Sequence, residues 1–185
     1  MSDSSGLLAE FGLKKNLVWR VEVPTGWSSP IVVKDRIYVT GVEGDKLIAL
    51  ALDRQTGRAI WRRDILRNHT NKIFVGNDSA TPTPTSDGET IYAFFPDLGL
   101  ISFNAAGEER WRIKLGPFDS FYGLSSSPVV EGNTVALVCD NATDRSRSQL
   151  TKTPGGYAGG SNGSWPRLRG TRLRPSTRRN EEHIS

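Results

Sequence analysis

Few residues in this 185-residue chain could carry chemistry, and each has a simpler structural explanation. Cys139 is the single cysteine, which excludes an internal disulfide and a zinc site built on several cysteines. It lies in the apolar run 135–139, so a buried structural thiol is favoured over a reactive one. The two histidines, His69 and His183, provide little material for metal binding or proton transfer. We therefore expect no complete catalytic site and no metal site in this chain.

Aspartates are the other candidates for chemistry, because carboxylates ligate calcium and exchange protons. Asp53, Asp97 and Asp140 each stand at or just after the end of an apolar run. Turns after strands favour Asp, since its side chain accepts hydrogen bonds from nearby backbone N–H groups. That explains Asp53 and Asp97 without a ligand. A calcium or acid–base role stays open as the alternative for all three.

Two segments between predicted strands are longer than ordinary hairpin loops, and long loops often carry function. They are residues 64–79 and 116–125. Their charged, amide and aromatic side chains suit contact with a protein or a small molecule. The candidate ligand-facing residues are Arg67, His69, Lys72, Asn77, Asp78, Phe121 and Tyr122.

A hairpin pattern that recurs three times would position these segments. The stretches 29–38, 83–92 and 127–136 align without gaps. Each begins with Ser or Thr before proline, continues as a short strand, turns at polar residues and ends in an apolar strand. Alternation around a polar turn is typical of an antiparallel hairpin. Its recurrence indicates stacked units of one kind.

A second repeated unit follows the first two hairpins and ends in tryptophan. Residues 51–61 follow the pattern A-x-D-x-x-T-G-x-x-x-W, and residues 102–111 repeat it one residue shorter. Asp or Asn bonds the backbone of the turn, and glycine supplies the positive φ that closes it. The residues of this motif are Trp19, Ala51, Asp53, Thr56, Gly57, Trp61, Asn104, Gly107 and Trp111, with the tryptophans 42 and 50 residues apart. That spacing is the length of one four-stranded blade.

Together these motifs resemble the repeat of the bacterial pyrroloquinoline-quinone-like (PQQ-like) β-propeller family over about residues 10–144. The resemblance implies an all-β fold, a partial propeller of about three four-stranded antiparallel blades. A β-sandwich or another type of propeller stays open as the alternative. The chain then divides into a lead segment, residues 1–16, an incomplete propeller region, residues 17–144, and a tail, residues 145–185.

The resemblance also implies a structural role for the repeated tryptophans. In the family each such Trp packs against the turn of the neighbouring blade. We assign this docking role to Trp61, Trp111 and Trp19. The long segments would then surround the axial funnel of the propeller, where ligands of such folds tend to bind.

The family includes quinoprotein alcohol dehydrogenases and a lipoprotein scaffold of outer-membrane protein assembly, so the resemblance implies two functions. The first is a binding or scaffold module without catalytic activity of its own, whose loops meet a protein or small-molecule partner. The second is a fragment of a quinone-dependent alcohol-type dehydrogenase. PQQ would be the cofactor of the intact parent and not of this fragment, since the vicinal cysteine pair of that family is missing here.

The family's usual location is the cell envelope. Residues 1–11 lack the basic start and long apolar core of a signal peptide. No run approaches the 18 apolar residues that a membrane span requires. An envelope location is therefore implied by the resemblance alone.

The tail differs in composition from the rest of the chain. It carries nine of the 24 Lys and Arg residues but only two of the 20 Asp and Glu residues. It is rich in Gly, Ser and Arg and has almost no apolar alternation, so we expect it to be disordered. Nucleic-acid binding is the alternative. Because Tyr157 and Trp165 are its only stacking aromatics, we expect no nucleic-acid partner.

We interpret the tail as translated out of frame from near Asp144. Regrouping its codons by one base permits the sequence A-A-D-x-D-T-G-R-V-R-W, a third copy of the turn-and-tryptophan motif. The implied tryptophan falls at about residue 159. It would stand 31 residues after Pro128, and Trp61 stands 31 residues after Pro30.

Resequencing of the gene across codons 140–160 is expected to restore a frame that encodes this motif. The physical reason is that a blade without its regular third and fourth strands leaves an open sheet edge. An independent DNA sequence that keeps the present frame and lacks the shifted motif would refute the interpretation.

Overall fold

The computed structural model describes residues 10, 12–67, 70, 76–118, 120–140, 145–151 and 157–160. Within these residues the regular structure consists of β-strands. The strands form three four-stranded antiparallel sheets, each with its strands in consecutive order. The predicted all-β fold of about three blades is confirmed.

Each sheet is one blade of four neighbouring strands. The first blade contains β1 (Ile31–Val33), β2 (Arg36–Glu43), β3 (Lys46–Asp53) and β4 (Ala59–Leu66). The second contains β5 (Thr85–Ser86), β6 (Ile91–Phe95), β7 (Gly99–Phe103) and β8 (Glu109–Lys114). The third contains β9 (Val129–Glu131), β10 (Thr134–Asp140), β11 (Arg145–Thr151) and β12 (Tyr157–Gly160).

The three sequence hairpins open the three blades in one register. Ile31 pairs with Tyr38, Thr85 with Tyr92, and Val129 with Ala136. Each pair joins residues seven positions apart, so the gapless alignment of the sequence is also an alignment of the backbone. A one-residue slip would turn every apolar side chain to the wrong face, which is why the pattern holds the register.

The apolar core lies between the blades. One cluster joins the first and second blades and includes Leu47, Ala49, Phe95 and Phe103. Another joins the second and third blades and includes Tyr92, Phe94, Leu137 and Cys139. Strands β6 and β7 are therefore buried on both faces. Cys139 is fully buried, in line with its place in an apolar strand.

Trp61 joins the first blade to the second through the β7–β8 turn. Its Nε1 donates a hydrogen bond of 2.9 Å to the carbonyl oxygen of Ala105. The indole lies directly over Gly107, where an added Cβ would stand 2.5 Å from the Trp61 Cδ2 atom. Glycine is required there because any side chain would collide with the ring, and because the residue has a φ of +76°.

Trp19 makes the same contact with the first blade. Its Nε1 donates to the Arg54 carbonyl oxygen at 3.0 Å, and its ring covers Gly57, which has a φ of +71°. Trp111 packs against Tyr92 with ring centroids 5.8 Å apart. The turn of the third blade that corresponds to those under Trp19 and Trp61, residues 152–156, lies outside the described residues.

The turn beneath Trp19 is shaped by Asp53. Its Oδ1 accepts hydrogen bonds from the N–H and the hydroxyl of Thr56, both at 2.7 Å, and from the N–H of Gln55. These donors, Thr56 first, hold the pKa of the Asp53 carboxyl below its usual value. Ala51 pairs with Trp61 across β3 and β4 and is fully buried. In the second blade Asn104 takes the place of Asp53, and its Oδ1 accepts from the N–H of Glu108.

The third sheet extends into the segment that we expected to be disordered. β11 pairs with β10, and β12 pairs with β11. The boundary predicted at residue 145 therefore does not hold for these two strands. An uncovered β10 presents a row of unpaired backbone groups, which an extended segment satisfies whatever its side chains. Residues 161–185 lie outside the described residues.

Substituting Gly107→Ala is expected to destabilise the chain by about 2–5 kcal/mol, the sum of left-handed backbone strain and overpacking against Trp61. The matched control is Gly44→Ala, which has a φ of +57° and nothing within 4 Å of the added Cβ. That change is expected to cost only about 1–2 kcal/mol of backbone strain. Urea unfolding followed by tryptophan fluorescence measures both. Equal losses would contradict a docking role for Trp61.

Candidate functional site

The candidate site lies on the edge of the sheets where one blade connects to the next. Three linkers reach the inner strands there: residues 24–30, 67–84 and 115–128. We call this edge the linker face. It also carries the β2–β3 and β6–β7 turns, because Arg67 contacts Gly44 in the first and Asp97 in the second. The tryptophan-covered turns lie on the opposite edge.

A buried ion pair joins the second linker to the turns of two blades. The Arg67 Nη1 atom stands 3.3 Å from the Asp97 Oδ2 atom, and Nη2 donates to the Gly44 carbonyl oxygen at 3.0 Å. The Ser79 hydroxyl donates to the same Asp97 oxygen. The side chain of Asp97 is 1% exposed and that of Arg67 is 15% exposed. Arg67, a candidate ligand-facing residue, is thus engaged in holding the linker.

Asn77 and Asp78 shape the linker and tie it to the next one. The Asn77 Nδ2 atom donates to the Tyr122 carbonyl oxygen at 2.5 Å. The Asp78 Oδ1 atom accepts a 2.8 Å hydrogen bond from the N–H of Ala80. Two residues that sequence predicted as ligand-facing therefore fix the backbone of the linker face.

Phe121 and Tyr122 are the sequence-predicted residues that present side chains to solvent. They are 70% and 67% exposed. Their rings meet edge to face, with centroids 5.0 Å apart. Of the remaining candidates, His69 and Lys72 lie outside the described residues.

Trp27 belongs to the same face but is absent from the sequence-predicted candidates. It is 65% exposed and lies in the first linker. Its position in the repeat is the feature of the sequence that marks it, because Trp27 stands two residues before the Ser29-Pro30 pair. The other linkers have Thr81 and Ser125 at that position. An aromatic residue where the repeat otherwise has a small hydroxyl side chain is unusual enough to mark it.

The Ser/Thr-Pro residues link the three blades in a chain of hydrogen bonds. The N–H of Ser29 donates to the Thr83 hydroxyl at 3.0 Å. The N–H of Thr83 donates to the Ser127 hydroxyl at 2.9 Å. The sequence indicated the repeated Ser or Thr only as part of a hairpin. In the structure this residue also joins neighbouring blades by a hydrogen bond.

A cavity of about 220 Å³ lies away from the linker face, between the hairpin turns of the first and second blades. Residues 33–36 and 88–89 contribute most of its wall, with Tyr38, Ile91 and Ala105. None of the sequence-predicted residues lines it. In the described ranges no three His, Cys, Asp or Glu side chains are grouped as a metal site would require. No helix in this part of the chain has the length and apolar character to cross a bilayer.

Comparison with known proteins identifies the family to which the repeat belongs. A PQQ-type family model, described as outer membrane protein assembly factor BamB, matches residues 6–162. This chain belongs to that family. The matched span includes the turns under Trp19 and Trp61 and all three Ser/Thr-Pro hairpins.

Dehydrogenases and BamB are both among the proteins that are similar to this chain. A probable quinate dehydrogenase (quinone) of Xanthomonas campestris pv. juglandis is 27% identical, over 80% of this chain and 22% of that protein. BamB of Moraxella catarrhalis has a similar structure, with a TM-score of 0.57 and 15% identity over 74% of this chain and 40% of BamB. A quinohemoprotein alcohol dehydrogenase of Pseudomonas putida HK5 gives a TM-score of 0.54 and 20% identity, over 76% of this chain and 21% of the enzyme.

These structural likenesses show a common fold. The chain spans well under half the length of each of these proteins. The activities and partners of the whole relatives therefore reach this chain only as proposals.

Substituting Asp97→Asn is expected to destabilise the chain by about 3–5 kcal/mol, because it leaves the guanidinium of Arg67 without its buried counter-ion. The control is Asp64→Asn, which disrupts an exposed pair with Arg62 and Lys46. Exposed pairs contribute about 0–1 kcal/mol. Urea midpoints of the two variants measure the contrast, and similar small losses would show that the Asp97 network is not structural.

Proposed function

We propose that this chain is a binding or scaffold module without catalytic activity of its own, and that it presents the linker face to a partner protein. The observation that supports this proposal most directly is the solvent exposure of Trp27, Phe121 and Tyr122 on this face. Large aromatic side chains dominate the energetics of protein interfaces and are enriched at their centres. A partner with exposed apolar side chains suits such a surface.

The contacts that hold the described parts of the linkers support this proposal. Arg67, Ser79 and Asp97 hold the second linker, and Asn77 fixes the backbone that carries Tyr122. A surface that is already ordered loses less conformational entropy when a partner binds. The family's description as an outer membrane assembly factor supports a protein partner and a place in the cell envelope.

A second candidate is favoured by the quinate dehydrogenase relative, which is 27% identical. On that proposal the chain is part of a quinone-dependent dehydrogenase, and PQQ is bound by the intact parent. The described residues hold no cluster that would ligate the calcium ion accompanying such a quinone. Because the family model that matches residues 6–162 is described as an assembly factor, we rank the dehydrogenase below the binding module.

Selection from a phage-displayed peptide library on the purified chain tests the first proposal. Peptides selected on the wild type are expected to lose at least tenfold in affinity, about 1.4 kcal/mol, for the Phe121→Ser/Tyr122→Ser variant. The control is Ile60→Ser, which removes an exposed apolar residue at the start of β4, the end away from the linker face. Peptides that bind both variants like the wild type, or a failure to select any, would count against the linker face.

Titration of the intact parent protein with PQQ and calcium distinguishes the two candidates. For a binding module we expect no change in the quinone absorbance and no alcohol-dependent dye reduction. Saturable quinone binding at one site would favour the dehydrogenase fragment instead, whatever the peptide selection shows.

A further inference from the structure

The cavity between the hairpin turns of the first and second blades has the size of a small ligand. Its volume is about 220 Å³, below the roughly 300–1,000 Å³ of pockets for drug-sized ligands. At about 30 Å³ per water molecule it has room for roughly seven waters, or for a ligand of fewer than about ten non-hydrogen atoms. The apolar part of its wall consists of Val33, Tyr38, Ile91 and Ala105.

The hydroxyl of Tyr38 is a buried polar group that lacks a hydrogen bond. Tyr38 is 3% exposed, and its ring packs against Trp61 with centroids 5.8 Å apart. Its hydroxyl makes no hydrogen bond to any residue that the structure describes. Buried polar groups in native proteins nearly always have a partner, so a hydroxyl of this kind in a cavity wall points to a ligand.

The second blade shows which partner a tyrosine takes at this position. Tyr92 is the counterpart of Tyr38 in the gapless alignment of the hairpins, and its hydroxyl donates to the Asp87 Oδ2 atom at 3.0 Å. The counterpart of Asp87 is Val33. Because the two hairpins share one register, the Tyr38 hydroxyl points toward Val33, which also lines the cavity. The first blade therefore has the tyrosine without its carboxylate.

The hairpin turn of the first blade also carries more positive charge than that of the second. Lys34 stands where the second blade has Gly88, and Arg36 where it has Thr90. Both cations line the cavity. Lys34 has a φ of +56°, a backbone conformation that favours glycine, so the lysine is present at a conformational cost. Relative to the second turn, the first has lost one carboxylate beside the tyrosine and gained two cations.

The wall also contains two carboxylates, Asp35 and Glu89. Both residues are exposed, so water and salt screen their charges. The Arg36 side chain, by contrast, is only 28% exposed, and its Nη1 atom donates to the Ala105 carbonyl oxygen in the wall. Two cations and two carboxylates leave the wall without net charge, which suits one anionic group better than several.

We propose that this cavity binds a small monocarboxylate with an apolar body. The carboxylate accepts a hydrogen bond from the Tyr38 hydroxyl, in the role that Asp87 has beside Tyr92, and it lies near Lys34 and Arg36. A hydrogen bond to a charged group is stronger than one between neutral groups, and the hydrocarbon body gains from contact with the apolar wall. The site is separate from the linker face, so it does not depend on the proposed partner surface.

Ligand-observed NMR of butyrate, 1-butanol and butylamine with the full chain tests this proposal. The three probes share a four-carbon body and differ in the head group. Butyrate is expected to bind saturably and about tenfold or more tightly than 1-butanol, because the hydroxyl and the two cations act on a carboxylate. Butylamine is expected to bind more weakly than both. Equal binding of butyrate and 1-butanol, tighter binding of butylamine, or no binding of butyrate would each overturn the proposal.

A pair of tyrosine variants assigns the binding to this cavity. Tyr38→Phe keeps the ring and removes the hydroxyl, and it is expected to weaken butyrate binding about tenfold or more. The matched control is Tyr92→Phe, whose hydroxyl already has a partner, and this variant is expected to bind butyrate like the wild type. Tryptophan fluorescence checks that each variant keeps the fold. Equal affinities of the two variants would contradict the assignment.

Lys34→Gly gives a second measurement that does not risk the fold, because glycine adopts the positive φ without strain. It gives the first turn the residue that the second turn has. We expect butyrate to bind about two- to fivefold more weakly, since an exposed cation contributes modestly. Unchanged affinity at low ionic strength would show that the cations of the turn do not act on the ligand.

Discussion

The structure depends on one contact, the tryptophan ring that lies over a glycine turn of the next blade. A single four-stranded sheet of this size cannot bury both of its faces, so each blade needs a neighbour at a set distance and angle. The contact between Trp61 and Gly107 supplies both, because the ring fits only where a Cβ is missing and its N–H reaches one carbonyl oxygen. The apolar clusters between the blades fill the space that this contact defines.

The other edge of the blades is held by polar groups instead of rings. The Ser/Thr-Pro hydrogen bonds join the inner strands, and the Arg67–Asp97 pair joins the turns. The Asp97 carboxylate has the Arg67 guanidinium and the Ser79 hydroxyl as partners, and a buried charge requires such partners. The two edges thus fix the junction between the first and second blades at separate points.

Polar and aromatic side chains have different roles on the linker face, and this suits the face to bind a partner. Arg67, Asn77 and Asp78 hold the described parts of the linkers, and the Asn77 side chain fixes the backbone beside the exposed Phe121 and Tyr122 rings. Scaffolds and dehydrogenases among the relatives share these blades, so the fold by itself does not select between them. The chain spans 40% of BamB and 22% of the quinate dehydrogenase, so most of each relative lies outside the shared blades.

The sequence by itself determined the hairpins, their register and the motif of turn and tryptophan, because these depend on neighbours within about a dozen residues and recur with the blade. It also indicated the buried thiol of Cys139, which follows from its place in an apolar strand. Only the tertiary structure decided which candidate side chains remain exposed. Arg67 and Asn77 have the chemistry of ligand-binding residues, yet Asp97 and Tyr122, 30 and 45 positions away, engage them. The same holds for the Ser29–Thr83 bond, which joins residues 54 positions apart and exists only once the blades stack. Strands β11 and β12 depend on the edge of β10 more than on their own composition, so polarity alone predicted disorder where backbone pairing forms a sheet.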